Sequence, residues 1–207
     1  MLKDDSRTIH FFDLIVTASA RNLKGLTPYN AARLVSFIKN GYDNNRAFKR
    51  SPDKRSITYL ADLEISRDYA IFLINKSDRG AADPTFSDPD KNSRRTIPKI
   101  DGEGTDMSAH MIWNLNAAQN VPDTYLVFLE SVPGLSSTTV RTFLTHVLNE
   151  ERKKDRPSFQ VQHPDGSNES NGNPRLVTIR HSLQLRGHLS DSFKEDLNQG
   201  QIGRAHV

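Results

Sequence analysis

Residues 56–74 read SITYLADLEI-SRD-YAIFLI, and the way they are read decides the fold. Ile57, Tyr59, Ala61, Leu63 and Ile65 alternate with Thr58, Leu60, Asp62 and Glu64, the period of two expected of a strand. After the polar break Ser66-Arg67-Asp68, Tyr69 to Ile74 forms a second strand rich in aromatic and branched residues. A break that short cannot carry a parallel crossover, so the pair is an antiparallel hairpin.

The same periodicities extend outward from this hairpin. Met107, Ala109, Met111, Trp113 and Leu115 line one face of a strand, with Ser108, His110 and Asn114 opposite, and Thr124 to Glu130 (TYLVFLE) is another strand. Thr8 to Val16 (TIHFFDLIV) is apolar on both faces, which predicts an interior strand with His10 as a core residue. A helix is expected from Thr27 as N-cap and Pro28 as first residue, with a stripe of Ala31, Leu34, Val35 and Ile38 and Gly41 at its close. A second spans 136–154, burying Val140, Phe143, Leu144, Val147 and Leu148 and ending in Arg152, Lys153 and Lys154. Phe159 to Gln162 and Arg175 to Leu183 read as paired strands around the turn-rich segment 163–174, and Ser190 to Asn198 starts a helix carrying Phe193 and Leu197. Two strand–helix passages among hairpins predict an α+β fold: a mainly antiparallel or mixed sheet, helices packed on one face, and long polar loops.

At 207 residues, with 35% apolar and 26% charged, the chain suits one domain whose polarity is concentrated in its loops. The longest, 75–106, has no hydrophobic period and reads as a mobile or binding loop centred on Arg94, Arg95 and Lys99. With no cysteine, disulfides, thiolate metal sites and cysteine nucleophiles are excluded from this sequence. Neither a signal peptide nor a membrane span is legible, so a soluble cytoplasmic protein is expected. The last residues, 201–207 (QIGRAHV), resemble the translation of a sequencing-library adapter and are set aside from 1–200, which is then expected to be a C-terminally truncated domain. Leaving out Arg204 turns 28 basic against 25 acidic residues, a formal charge of +3, into 27 against 25, or +2. Charge distribution therefore matters more than its sum.

The most basic stretch carries Arg46, Lys49, Arg50, Lys54 and Arg55 within ten residues, beside Tyr42 and Phe48. Cations with aromatics interleaved can contact phosphates while a ring packs or stacks, and Arg94 and Arg95 extend the set if both loops lie at one end of the sheet. The same pattern also fits a solvated loop. Asp62 and Glu64, two apart on one strand face, are the candidate catalytic pair of a Mg²⁺-dependent nuclease, with Asp68 across the turn. Ser66 stands where such a motif places a lysine, so solvated strand carboxylates are the plainer account. No local histidine spacing suggests a metal clasp, and no serine, histidine and acid fall in a triad pattern. The acids and glycines of 101–106 depart from a calcium loop and fit a hairpin turn.

Thr124 to Leu148 (TYLVFLESVPGLSSTTVRTFLTHVL), with the strand Tyr69 to Lys76 (YAIFLINK) before it, resembles the core of RexA-type phage-exclusion proteins and of KwaB-like antiviral proteins. The resemblance rests on a strand ending in an acid, a glycine-containing turn and a helix of the form xxFLxxxL. It implies a cytoplasmic, DNA-associating protein of prokaryotic or phage defence, and it assigns no catalytic residue. The expected function is nucleic-acid association through phosphates, without a cofactor. The alternatives are a metal-dependent nuclease with part of its site beyond residue 200, and a protein-binding subunit or homo-oligomer of an operon-encoded complex.

Overall fold

The computed structural model describes residues 7–118 and 121–190. Along the chain run β1 (Ile9–Ala20), β2 (Leu23–Leu26), α1 (Ala31–Asp43), β3 (Phe48–Arg50), β4 (Ser56–Ile65), β5 (Tyr69–Asp78), β6 (Thr85–Asp88) and β7 (Ser93–Thr96). After these come β8 (Thr105–Ala117), β9 (Thr124–Glu130), α2 (Ser137–Lys154), a single 3-10 turn (Pro157–Phe159), β10 (Gln160–Gln162), β11 (Leu176–Thr178) and β12 (Arg180–Gly187). The main sheet has the order β12-β1-β9-β8-β5-β4-β3, with β2 paired to the end of β1, while β6–β7 and β10–β11 are separate two-stranded ribbons. Every pairing between these strands is antiparallel, so the fold is α+β without the parallel element a mixed sheet requires.

Both helices lie on one face. Leu34, Val35 and Ile38 of α1 and Val140, Phe143, Leu144 and Val147 of α2 close over Leu14, Phe72, Ile74, Met111, Trp113, Val127 and Leu183 as one continuous core. At roughly 1.5–3 kcal/mol for each large apolar side chain removed from water, this layer is the main source of stability. The helix stripes and the strand alternation of 107–115 place these residues as the sequence analysis expects.

Several expectations are corrected by the structure. Helix α1 is capped by Asn30, whose Oδ1 accepts from the Arg33 amide, and begins at Ala31 rather than at Pro28. Gly41 does not close it. It is buried inside the helix, where an added Cβ would sit 3.2 Å from Glu151 Oε1 and 3.3 Å from Val147 Cγ1. The chain reverses later, at Asn45 with φ +54°. The long loop is not structureless: β5 runs on to Asp78, and β6 and β7 form a hairpin before β8 starts at Thr105. Arg175 to Leu183 is two strands, because the Ile179 amide bonds to the Phe159 carbonyl; β11 serves β10, and β12 crosses to β1. His10 is exposed, not buried: it follows Leu14 and Phe12 along the inward face of β1 but stands past the edge of the core, where it lines an open cleft. The helix expected over 190–198 and the tail 201–207 lie outside the described residues.

Candidate functional site

The basic segment is divided by the fold. Arg46 turns inward: its Nε and Nη2 each donate at 2.9 Å to the two oxygens of Glu151, a residue of α2 with 1% exposure, and Asn40 Nδ2 donates to the same carboxylate. Arg46 thus compensates a buried charge and leaves the candidate phosphate contacts. Lys49 and Arg50 belong to β3, the edge strand, which sequence reading took for loop. Its short run pairs Lys49 with Thr58 of β4, and Thr58 in turn pairs with Lys76 of β5. Two lysines therefore flank a threonine in one cross-strand row, on the face that carries the helices.

Helix α2 begins beside this row. Ser136 caps it by accepting from the Thr139 amide, and Lys76 Nζ donates to the Gly134 carbonyl of the preceding turn. Between the row and the first turns of α2 runs a groove of about 290 Å³, lined by Lys49, Arg50, Lys76 and the hydroxyl-bearing Ser51, Ser56, Thr58, Thr138, Thr139 and Thr142, with Pro52. No carboxylate is among these lining residues. The helix dipole adds partial positive charge at this end. Cations and hydroxyl donors without an acid suit an anion with several oxygens.

The β3–β4 turn overhangs the groove. Ser51 and Ser56 close it, Lys54 takes φ +59°, and Asp53 Oδ1 accepts from the Arg55 amide. The Ser51 hydroxyl, ahead of that amide, holds the Asp53 carboxyl below its usual range, so the acid is spent on the turn. Lys54 and Arg55 are exposed on this turn and do not line the groove. The Arg79 amide bonds to the Arg55 carbonyl, so the β6–β7 excursion leaves from the same end of the sheet. Arg94 and Arg95 ride on β7, with Arg95 5.3 Å above the Phe86 ring. They share the end of the sheet with Lys49 and Arg50 but not the groove.

Asp62 and Glu64 stand elsewhere. A bulge at Ala61 breaks the β4–β5 register between Leu60 and Asp62 and returns Leu63 to the core side, leaving both acids exposed on the face away from the helices. Asp62 Oδ1 accepts from the Leu63 amide, and Asp68 accepts from Asn116. No group of three His, Asp or Glu side chains arranged to hold a metal occurs among the described residues.

A second cleft, of about 460 Å³, lies on the other side of the α2 start and is lined by His10, Glu130, Ser131, Ser136 and Ser137 among others. Burial opposes ionisation of Glu130, but hydrogen bonds from the His110 amide and ring hold its carboxyl below the usual range. His110 is exposed, as its position opposite Trp113 predicts.

Sequence reading missed Lys76 and the α2 threonines. Lys76 had a signal, since it follows Ala70, Phe72 and Ile74 on the inward face of β5, where the apolar period turns to a cation. The threonines had none, because only tertiary packing sets α2 beside β3. Neither described helix is long and apolar enough to cross a membrane. No family model, curated protein or solved structure matches the chain.

Proposed function

We propose that this protein binds nucleic acid through its phosphates, in the groove between β3–β5 and the start of α2. The observation that carries the reading is the acid-free lining of Lys49, Arg50 and Lys76 with hydroxyl side chains. Phosphate oxygens are acceptors only, and such a lining offers charge and donors without reading a base. Lys54 and Arg55 on the overhanging turn extend the contact along a backbone, and Arg94 and Arg95 serve a longer segment of it. The resemblance of 69–76 and 124–148 to phage-exclusion and antiviral proteins supports a cytoplasmic setting in prokaryotic or phage defence.

The test is fluorescence anisotropy with labelled single-stranded and duplex oligonucleotides of unrelated sequence across a salt series. Three groove cations predict a log–log salt slope near about −3 on duplex and about −2 on single strands. Lys49→Glu with Lys76→Glu is expected to abolish binding to every sequence alike, while Arg46→Gln leaves the salt slope unchanged. Salt-insensitive binding, or binding indifferent to the paired charge reversal, overturns the proposal.

A further inference from the structure

Arginines lie over aromatic rings in three places, and the three are not alike. The Arg33 guanidinium sits 3.7 Å above the Tyr29 ring and donates to the Ser158 carbonyl, while Tyr29 packs against Phe159 and His181. That pair ties α1 to the chain that follows α2. Arg50 lies 5.5 Å from the centre of the Phe48 ring, and Arg95 5.3 Å from that of Phe86, both within reach of a cation–π contact. Neither of these two guanidinium groups has a carboxylate partner among the described residues. Both rings stay open to solvent, Phe48 40% exposed and Phe86 52%, and neither belongs to the hydrophobic core. Each pair presents a ring and an unspent cation side by side.

Both pairs stand next to the basic groove or in line with it. Phe48 and Arg50 alternate with Lys49 on β3, the edge strand, so the ring stands across that edge from the row of Lys49, Thr58 and Lys76. Arg50 reaches both sides: it lines the groove and holds its guanidinium beside the Phe48 ring. Opposite Phe48 in register is Tyr59, which with Pro84 and Ile97 lines a cleft at the foot of the β6–β7 ribbon. Pro84 is two residues before Phe86, so the second pair follows the first along one end of the sheet.

We propose that Phe48 with Arg50 and Phe86 with Arg95 are base-stacking platforms, and that the nucleic acid held by the groove is single-stranded. The inference rests on the phosphate-binding reading above and adds the class of ligand to it. A flexible strand whose phosphates lie on Lys49, Lys76 and Arg50 can turn its bases over the β3 edge onto Phe48 and, further along, onto Phe86. The arginine beside each ring then meets the adjoining phosphate. A duplex gains nothing from the rings, because its bases are already paired and stacked on one another. Every base has a π-face, so the contact adds affinity without sequence preference, in keeping with a groove suited to phosphates.

The test compares an oligothymidine, an abasic oligomer of equal length and the duplex of the oligothymidine with its complement, by fluorescence anisotropy over a salt series. The oligothymidine is expected to bind roughly tenfold or more tighter than either of the others. Phe48→Leu and Phe86→Leu are each expected to weaken oligothymidine binding by about five- to a hundredfold, the range of one lost stack, with abasic binding and the salt slope unchanged. Phe48→Trp and Phe86→Trp are expected to retain it. Both rings lie outside the core, and an unchanged thermal unfolding midpoint checks that each variant folds. Equal, salt-sensitive binding of all three probes overturns the stacking platforms and leaves the phosphate reading standing, as does oligothymidine binding that Phe48→Leu combined with Phe86→Leu leaves intact. Salt-insensitive or absent binding of every probe overturns both.

Discussion

Gly41 shows how one missing methyl group shapes a neighbourhood. Alanine is intrinsically better than glycine in a helix by roughly 1 kcal/mol. Here the added carbon would press on Glu151 Oε1 and Val147 Cγ1, inside the bonds joining Glu151 to Arg46 and Asn40. Gly41→Ala is therefore expected to destabilise by about 1–3 kcal/mol, the cost of overpacking, measured by denaturant unfolding; a gain in stability would falsify this account of the contact. His181 works through its proton. Burial first, and then the nearby Arg33 charge, push its pKa down to about 4. Its Nε2 accepts from the Tyr29 amide, so the neutral ring is the form that fits. Because the folded value lies below the unfolded 6.5, the unfolded chain takes up the proton first. Stability is full above pH 6.5 and falls as the pH drops towards 4, by up to about 3 kcal/mol. His181→Gln, which keeps an acceptor for Tyr29, is expected to flatten that slope in unfolding curves taken across the interval.

At the scale of elements, the excursion between β5 and β8 contributes no side chain to the hydrophobic core. It is a self-contained ribbon anchored at its base, where Lys99 Nζ donates to the carbonyls of Arg79 and Ala81. Replacing 84–97 by a short turn is expected to leave the unfolding midpoint nearly unchanged. If Arg94 and Arg95 touch phosphates, the same change lowers the salt slope; an unchanged slope removes them from the contact. The hairpin β4–β5, the alternation of β8 and the stripes of both helices were legible in the sequence because their patterns repeat over two or more periods. Strands β2, β3, β6 and β7 were not, being three or four residues long and mostly exposed, too short for any period to register. The bulge at Ala61 hid for a different reason. Thr58, Leu60 and Leu63 all face inward, which mimics an unbroken alternation of the wrong face. The candidate groove was half legible: charge density alone points to Lys49 and Arg50, while Lys76 and the threonines of α2 come together only through the register of three strands and the docking of a helix.

On the scale of the whole molecule, the two faces of the sheet differ in what they carry. The covered face holds the core and, at its margin, the basic groove; the open face holds an apolar row of Ile112, Phe128 and Phe11, with a shallow depression at its end. No side chain lines both the groove and the depression on the open face. The order of the strands has another consequence. β1 leaves the ribosome long before β12, yet one of its long edges is completed only by that strand, with Phe12 opposite Gly187 and His188 bonded to Asp13 across 175 positions. Until that late strand emerges, β1 displays an unsatisfied row of backbone donors and acceptors. Its loop-closure entropy is paid before any reward arrives, which places folding in the slow, millisecond-to-second class of antiparallel sheets. The nascent chain thus passes through an interval in which an open edge and the aromatic side chain of Phe11 are displayed together. In that interval the open edge is the part of the chain most ready to pair with another strand.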